Sequence, residues 1–287
     1  MPELPEVEAL ARYLTEQAAD RVIDRAELAA ISALKTFDPP HEAIVGRRLH
    51  AVGRRGKYLL LDTGPDLLVA VHLARGGWVH WKESLPPARA KPGRGPLALR
   101  VGFAGGSGFD LTEMGTEKRL SVWVVRHPED VAHIATLGPD PLDPSFDADA
   151  LAGLLSGVKA QIKGVLTDQR LLAGVGNAYS DEALHAARLS PFKTAASLTP
   201  AEVNRLYEAL VEVLSEAVTR SAGLPAAGLK GEKRSGLRVH GRTGEPCPVC
   251  GDTVREVAFA TKSLQYCATC QTGGKPLADR RLSRLLK

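Results

Sequence analysis

A proline at position 2 followed by a glutamate at position 3 puts two reactive groups at the start of the chain. Once Met1 is trimmed, as expected before a small second residue, Pro2 carries a free secondary amine. An α-amino group titrates at roughly 7.7–8.0, so near neutral pH a useful fraction is unprotonated and nucleophilic. Attack by such an amine on an electrophilic sugar carbon gives an iminium adduct, the Schiff-base form of covalent catalysis. Glu3 adds a carboxyl group one residue away for proton transfer. Taken alone, Met-Pro-Glu is far more often an ordinary solvated N-terminus than a reactive one.

The four cysteines all fall between positions 247 and 270: Cys247-Pro-Val-Cys250, sixteen residues, then Cys267-Ala-Thr-Cys270. This spacing is that of a zinc ribbon. Each pair brings two thiolates to one ion, and four thiolates close a tetrahedral site with no open position, which makes the zinc structural. Two disulfides are the alternative, disfavoured in a chain expected to be cytoplasmic.

Two further segments bear polar groups suited to a ligand. In Gly174-Val-Gly176-Asn177 the glycines permit tight turning and close backbone approach. Asn177 is expected to cap a helix over about 178–187, whose free amides favour a phosphate; an ordinary capped turn accounts for the same residues. Lys57 follows Gly56 at a strand start, where a solvated edge charge is the plain reading. Basic residues concentrate at Lys230, Lys233, Arg234, Arg238 and Arg242, and again at Lys275, Arg280, Arg281, Arg284 and Lys287.

The elements that must position these groups follow from periodicity. Residues 3–18 read as a helix with Val7, Leu10, Ala11, Leu14 and Ala18 on one face. From about 22 to 126 short apolar runs alternate with Gly/Pro punctuation, which predicts a β-sandwich or barrel packed on that helix. Gly138-Pro-Asp-Pro-Leu-Asp-Pro144 reads as a linker. Residues 148–220 read as helical, with a start signal at Thr199-Pro200-Ala-Glu202. The expected fold class is α+β: an N-terminal catalytic β-sandwich domain (1–135), a linker (136–147), a helical domain (148–240), a zinc ribbon (241–272) and a basic tail (273–287). A chain of 287 residues with 44% hydrophobic composition and net charge +4 is globular and mildly basic. It has no apolar run long enough for a bilayer and no signal-peptide pattern, so a cytoplasmic protein without membrane partners is expected.

The opening Met1-Pro2-Glu3-Leu4-Pro5-Glu6-Val7-Glu8 resembles that of the formamidopyrimidine-DNA glycosylase / endonuclease VIII family of DNA-repair enzymes. The Gly174–Tyr179 stretch is similar to the family's helix-two-turns-helix signature, and Arg54-Arg55-Gly56-Lys57-Tyr58-Leu59-Leu60 to its segment bearing an active-site lysine. With the cysteines, these motifs stand in the family's order over residues 2–270. The resemblance implies that Pro2 attacks the sugar, that Glu3 is the acid/base with Glu6 in support, and that Lys57 contacts phosphate and assists proton transfer. It likewise implies DNA contacts from Lys163, Asn177 and Lys262, the last on the zinc hairpin.

Departures from the family's pattern are equally specific. Members that excise oxidised purines fill the gap behind a flipped base with Met, Arg and Phe. Here Arg75 stands at the Met position, and Lys118 and Leu120 replace Arg and Phe, so Arg75, Lys118, Arg119 and Leu120 are the candidates for that role. The stretch 221–242 also lacks the lesion-capping loop, which predicts poor excision of 8-oxoguanine paired with cytosine. The resemblance implies a monomeric, bifunctional DNA glycosylase/AP lyase of base excision repair. It would carry one structural zinc, act on damaged double-stranded DNA in the cytoplasm and associate with the nucleoid while doing so. A non-catalytic damaged-DNA-binding protein of the same fold is the alternative.

Overall fold

The structure is a computed structural model and describes residues 1–93, 95–259 and 263–278. Two compact units emerge: Met1–Leu137 with Ser221–Lys230, and Gly138–Arg220 with the chain from Gly231 onward.

The first unit begins with helix α1 (Leu4–Ala18), whose apolar stripe of Val7, Leu10, Ala11, Leu14 and Ala18 is fully buried as the periodicity requires. Eight strands follow: β1 (Ile23–Leu28), β2 (Ala51–Arg55), β3 (Tyr58–Asp62), β4 (Leu68–His72), β5 (Gly77–Lys82), β6 (Leu97–Phe103), β7 (Gly108–Glu113) and β8 (Ser121–Val125). They form two antiparallel sheets, ordered β1-β6-β7-β5 and β2-β3-β4-β8. Leu59 and Leu61, Val69 and Val71, and Val122 and Val124 face inward. They share one core with Val101, Phe103, Phe109 and Leu111 of the other sheet and with α1.

The intervening residues of the second sheet, Tyr58, Ala70 and Val125, face the other way under Val131 and Ile134, next to and within the short helix α2 (Ala132–Ala135). Both faces of that sheet are therefore covered, which explains why its strands read as unbroken apolar runs. The outer face of the first sheet is instead polar, carrying the bidentate Arg100–Asp110 pair at 2.7 and 2.9 Å across β6 and β7. The 221–230 segment returns to this unit. Ala226 and Leu229 enter its core, the Ala226 carbonyl accepts the Trp78 indole N–H at 3.0 Å, and the Lys230 ammonium lies 4.5 Å from the Trp78 ring centre.

The second unit holds α3 (Ala148–Leu155), α4 (Ile162–Thr167) and α5 (Asn177–Ala186), and α6 (Pro200–Ser221) runs through it to its final residue. Thr199 and Glu202 make the expected reciprocal cap: the Thr199 N–H donates to Glu202 at 2.9 Å and the Glu202 N–H to the Thr199 hydroxyl at 3.3 Å. Helix α7 (Leu229–Gly236) leads to the ribbon hairpin β9 (Val254–Ala258) and β10 (Ser263–Cys267), followed by α8 (Ala268–Thr272). Among the described residues no helix is long and apolar enough to cross a membrane.

Candidate active site and zinc ribbon

The helix start fixes the two N-terminal groups. Glu3 is the N-cap of α1, and its carboxylate accepts the Glu6 N–H while Glu6 Oε2 accepts the Glu3 N–H at 2.8 Å. Pro2, Glu3 and Glu6 are all buried. The direction of α1 follows from two contacts with β2: Glu8 meets Arg54 at 3.0 Å, and one and a half to two turns later Thr15 bonds the backbone of Val52. The helix thus runs antiparallel to β2, with Pro2 and Glu3 toward the β2–β3 turn. Burial alone would raise the Glu8 carboxyl, but the hydrogen bonds and charges of Arg54 and Arg12 bring it below its usual value.

That turn has only two residues, Gly56 and Lys57, between the paired Arg55 and Tyr58. Gly56 adopts φ +55°, a conformation that glycine takes without a steric penalty. The register places Tyr58 opposite His72, and His72 opposite Ser121. The loop after β4 and the loop before β8 therefore emerge at the same end of the sheet as Lys57. Burial, then the charges of Lys57 and His133, push His72 down to about 4, so this imidazole is neutral near pH 7.

The gap-filling candidates divide on inspection. Arg75 is exposed on the β4–β5 turn. Lys118 and Arg119 are exposed on the β7–β8 loop, the former donating to the Glu113 carbonyl and the latter pairing with Glu117 at 2.8 Å. Leu120 is the exception. It is only 2% exposed and lies in the sandwich core, because the loop rejoins the sheet one residue before β8 and that side chain is already turned inward. It is unavailable as a wedge in this conformation.

In the second unit, Lys163 is held by its neighbours. Its ammonium donates to the Asn177 carbonyl at 2.7 Å, the Ser180 hydroxyl at 2.8 Å and Asp181 Oδ1 at 2.6 Å, using all three protons inside the fold. With 9% exposure it braces α4 against α5. Asn177 is the first residue of α5 and Gly176 is its cap; the Asn177 side-chain amide donates to the Ser263 carbonyl at 2.7 Å, tying α5 to the hairpin. Three residues that the motifs did not single out complete this corner. Asp181 Oδ2 lies 2.7 Å from His240 Nδ1, and the Glu182 carboxylate accepts the backbone N–H groups of Arg238, Val239 and His240 at 2.7–2.9 Å. Lys262 lies outside the described residues, as do Arg280, Arg281, Arg284 and Lys287 of the tail.

The sulfurs of Cys247, Cys250, Cys267 and Cys270 lie within 4.8 Å of one another, with 3.9 Å between Cys247 and Cys270 and 3.4 Å between Cys250 and Cys267. Zinc–sulfur bonds of about 2.3 Å in a tetrahedron imply sulfur separations of about 3.8 Å. The cage fits one structural zinc. His185, buried on α5, places Nε2 3.3 Å from Cys247 Sγ. A metal-bound thiolate can only accept, so Nε2 carries the proton and Nδ1, without a partner among the described residues, is bare. A lone histidine on a helix carries no sequence signal for such a contact.

Comparison with known proteins agrees along the whole chain. The formamidopyrimidine-DNA glycosylase N-terminal domain matches residues 1–113, its H2TH domain residues 137–226, and the zinc finger found in FPG and IleRS residues 244–273. A formamidopyrimidine-DNA glycosylase of Symbiobacterium thermophilum is 38% identical over 98% of this chain and 93% of its own. An uncharacterized formamidopyrimidine-DNA glycosylase-like protein of Mycobacterium tuberculosis is 68% identical over 53% of this chain and 94% of its own. The crystal structure of MutM (Fpg) from Thermus thermophilus superimposes with a TM-score of 0.80 at 31% identity, covering 96% of this chain and 100% of that one. The complex of Lactococcus lactis Fpg with DNA containing an abasic site gives 0.83 at 26% identity, covering 94% and 99%.

Proposed function

Because the chain belongs to the formamidopyrimidine-DNA glycosylase family, we propose that it is a bifunctional DNA glycosylase and AP lyase acting on oxidised or ring-opened bases in duplex DNA. The observation that carries this reading is the run of α1 along β2, which brings Pro2 and Glu3 toward the turn that holds Lys57.

The chemistry begins when removal of Met1 frees the Pro2 nitrogen. That nitrogen forms a bond to C1′ of the damaged nucleotide as the bond from C1′ to the base breaks, and the departing base takes up a proton. The Pro2 nitrogen gives up its own proton, the C1′–O4′ bond of the sugar ring then breaks with O4′ taking up a proton, and the resulting iminium draws electrons from C2′. Loss of a C2′ proton then expels the 3′ phosphate by elimination, and water releases the amine from the sugar fragment. Glu3, fixed by its cap, is the group placed to move protons at the sugar, and Lys57 supplies positive charge for the phosphate. Neutral His72 adds no second charge there at pH 7. The zinc ribbon orders a DNA-binding hairpin and takes no part in the reaction. Backbone contacts of this kind hold the duplex without reading its sequence.

Borohydride trapping on abasic duplex tests the reading. Protein with a free Pro2 amine is expected to become covalently attached to DNA, and the same protein with an uncleaved N-terminal tag is expected to bind but not to be trapped, since its Pro2 nitrogen is an amide. Equal trapping of the two forms would move the nucleophile elsewhere. No trapping by either, with binding intact, would leave a damage-binding protein without catalysis.

A further inference from the structure

With Leu120 buried, the end of the sandwich that carries Lys57 still presents the large apolar side chain of Met114, 67% exposed just beyond β7. A single exposed apolar residue is ordinary; the support beneath this one is not. Its N–H donates to the Gly76 carbonyl at 3.1 Å, and a Cβ on Gly76 would stand 2.4 Å from the Met114 carbonyl oxygen, so only glycine lets the two loops approach this closely. The preceding residue, Glu113, is 3% exposed. Its N–H donates to the Pro96 carbonyl at 2.7 Å, and its carboxylate accepts the N–H groups of Arg119 and Leu120 at 2.8–2.9 Å. The loop is thus pinned at its base, at the side facing Arg75 and where it rejoins the sheet.

A flexible thioether stands out from this clamped backbone, with exposed cations on both supporting loops: Arg75 on one, Lys118 and Arg119 on the other. Cations around a projecting apolar group suit a polyanion with an apolar interior. In duplex DNA, such side chains enter between base steps while neighbouring cations hold the phosphates. Phe37 is as exposed but follows Lys35 and Thr36, which bond β8 at Val122 and Val124, along the strand. Ile31 is as exposed and lines a cleft with Gly115, Thr116 and Lys118, whereas Met114 stands at the clamped base of that loop.

We propose that Met114 is the residue that enters the base stack when the damaged nucleotide leaves it, and that it thereby helps to select lesions by how easily they open. This rests on the reading of the chain as an enzyme of duplex DNA. The proposal differs from the motif-based expectation in the residue: Met114 shares its loop with Lys118, Arg119 and Leu120 but is none of the candidates named from the motifs, and Arg75 stands on the neighbouring loop.

The test separates insertion from chemistry. A duplex with a tetrahydrofuran abasic analogue beside 2-aminopurine cannot be cleaved, and unstacking raises its fluorescence. Wild-type protein and Met114→Leu are expected to raise the signal, and Met114→Ala to raise it at least fivefold less at saturating protein. Met114→Ala is also expected to slow single-turnover excision of a paired lesion at least tenfold, but to lower borohydride trapping on a single-stranded abasic oligonucleotide less than twofold, since no stack must be held open. Equal fluorescence for wild type and Met114→Ala, or no response from wild type, overturns the proposal, as does an equal loss on duplex and single strand. Failure of wild-type trapping would sink the lyase reading alone, because the uncleavable duplex still decides insertion.

Discussion

The sandwich end around Lys57 and the helix corner around Lys163 use similar residues in opposite ways. Both lysines are more than nine-tenths buried, and for both the sequence resemblance implies a phosphate contact. Around Lys163 the protein has supplied its own anion: Asp181 takes the ammonium on one oxygen and His240 on the other, and Glu182 gathers three backbone N–H groups nearby. The charge there is settled within the fold. At the sandwich end a two-residue turn and two crossing loops leave Arg75, Met114, Lys118 and Arg119 at the surface, beside an imidazole held neutral. One region commits its polar groups to its own buried network, and the other carries an exposed set of side chains on loops pinned from beneath. A motif match locates a residue, but its neighbours decide which kind of region it occupies.

The strongest way to separate the two regions is to remove the metal. Cys267→Ser should abolish zinc binding, which supplies about 10–16 kcal/mol of apparent free energy in small zinc modules. All three tryptophans, Trp78, Trp81 and Trp123, lie in the first unit, so its unfolding can be followed alone by fluorescence. Zinc content should fall from one per chain to none while the tryptophan transition stays in place. A matching shift of that transition would show that the sandwich depends on the ribbon.

Next in size is the helix corner itself. Lys163→Met leaves the buried Asp181 with His240 as its one remaining side-chain partner among the described residues, and breaking a buried pair this way costs up to about 3–5 kcal/mol. Thermal zinc release should move to lower temperature, with the tryptophan transition unchanged. If Lys163 instead served phosphate, the substitution would be nearly neutral for stability and would lower the salt slope of DNA binding by about one.

A smaller effect concerns acid. His72 is displaced from its ordinary 6.5 down to about 4 by burial, Lys57 and His133, so its native state prefers the neutral ring. A depressed folded value gives stability that is complete above pH 6.5 and is lost as pH falls toward 4, at most about 3 kcal/mol. Urea melts of tryptophan fluorescence at about pH 7.5 and about pH 5 should diverge less for His72→Phe than for wild type, because only the wild type must charge a buried ring on acidification. Parallel losses in the two proteins would remove His72 as the cause.

Smallest is the contact between α5 and the zinc cage. His185→Phe removes the N–H that Cys247 accepts, and loss of such an outer contact lowers metal affinity about 10–100-fold. Competition with a chelator measures it directly, and an unchanged zinc affinity would make the histidine a packing residue only.

Local signals made much of this legible. Helix α1, the covered sheet, the Thr199–Glu202 cap and the cysteine cage all follow from spacing over a few residues. What the sequence hid was settled by nonlocal geometry. Lys163 is 18 residues from Asp181 and His240 a further 59, so no window along the chain shows them as one network. Asn177 reads as a cap but is the first helical residue, because Gly176 can itself cap and the asparagine amide has a partner 86 residues away. Leu120 and Met114 belong to one loop, and only the point at which that loop rejoins the sheet shows that the leucine turns in and the methionine out.

The return of residues 221–230 to the first unit has a consequence for any attempt to divide the molecule. The chain passes from one unit to the other three times, so a single cut after Leu137 yields no self-sufficient half. A fragment ending there would lack Leu229 and Ala226 from its core, and the Trp78 indole would lose both its carbonyl acceptor and the ammonium over its ring. Such a fragment should expose that apolar seam and aggregate, whereas the same fragment supplied with a synthetic 221–230 peptide should recover solubility.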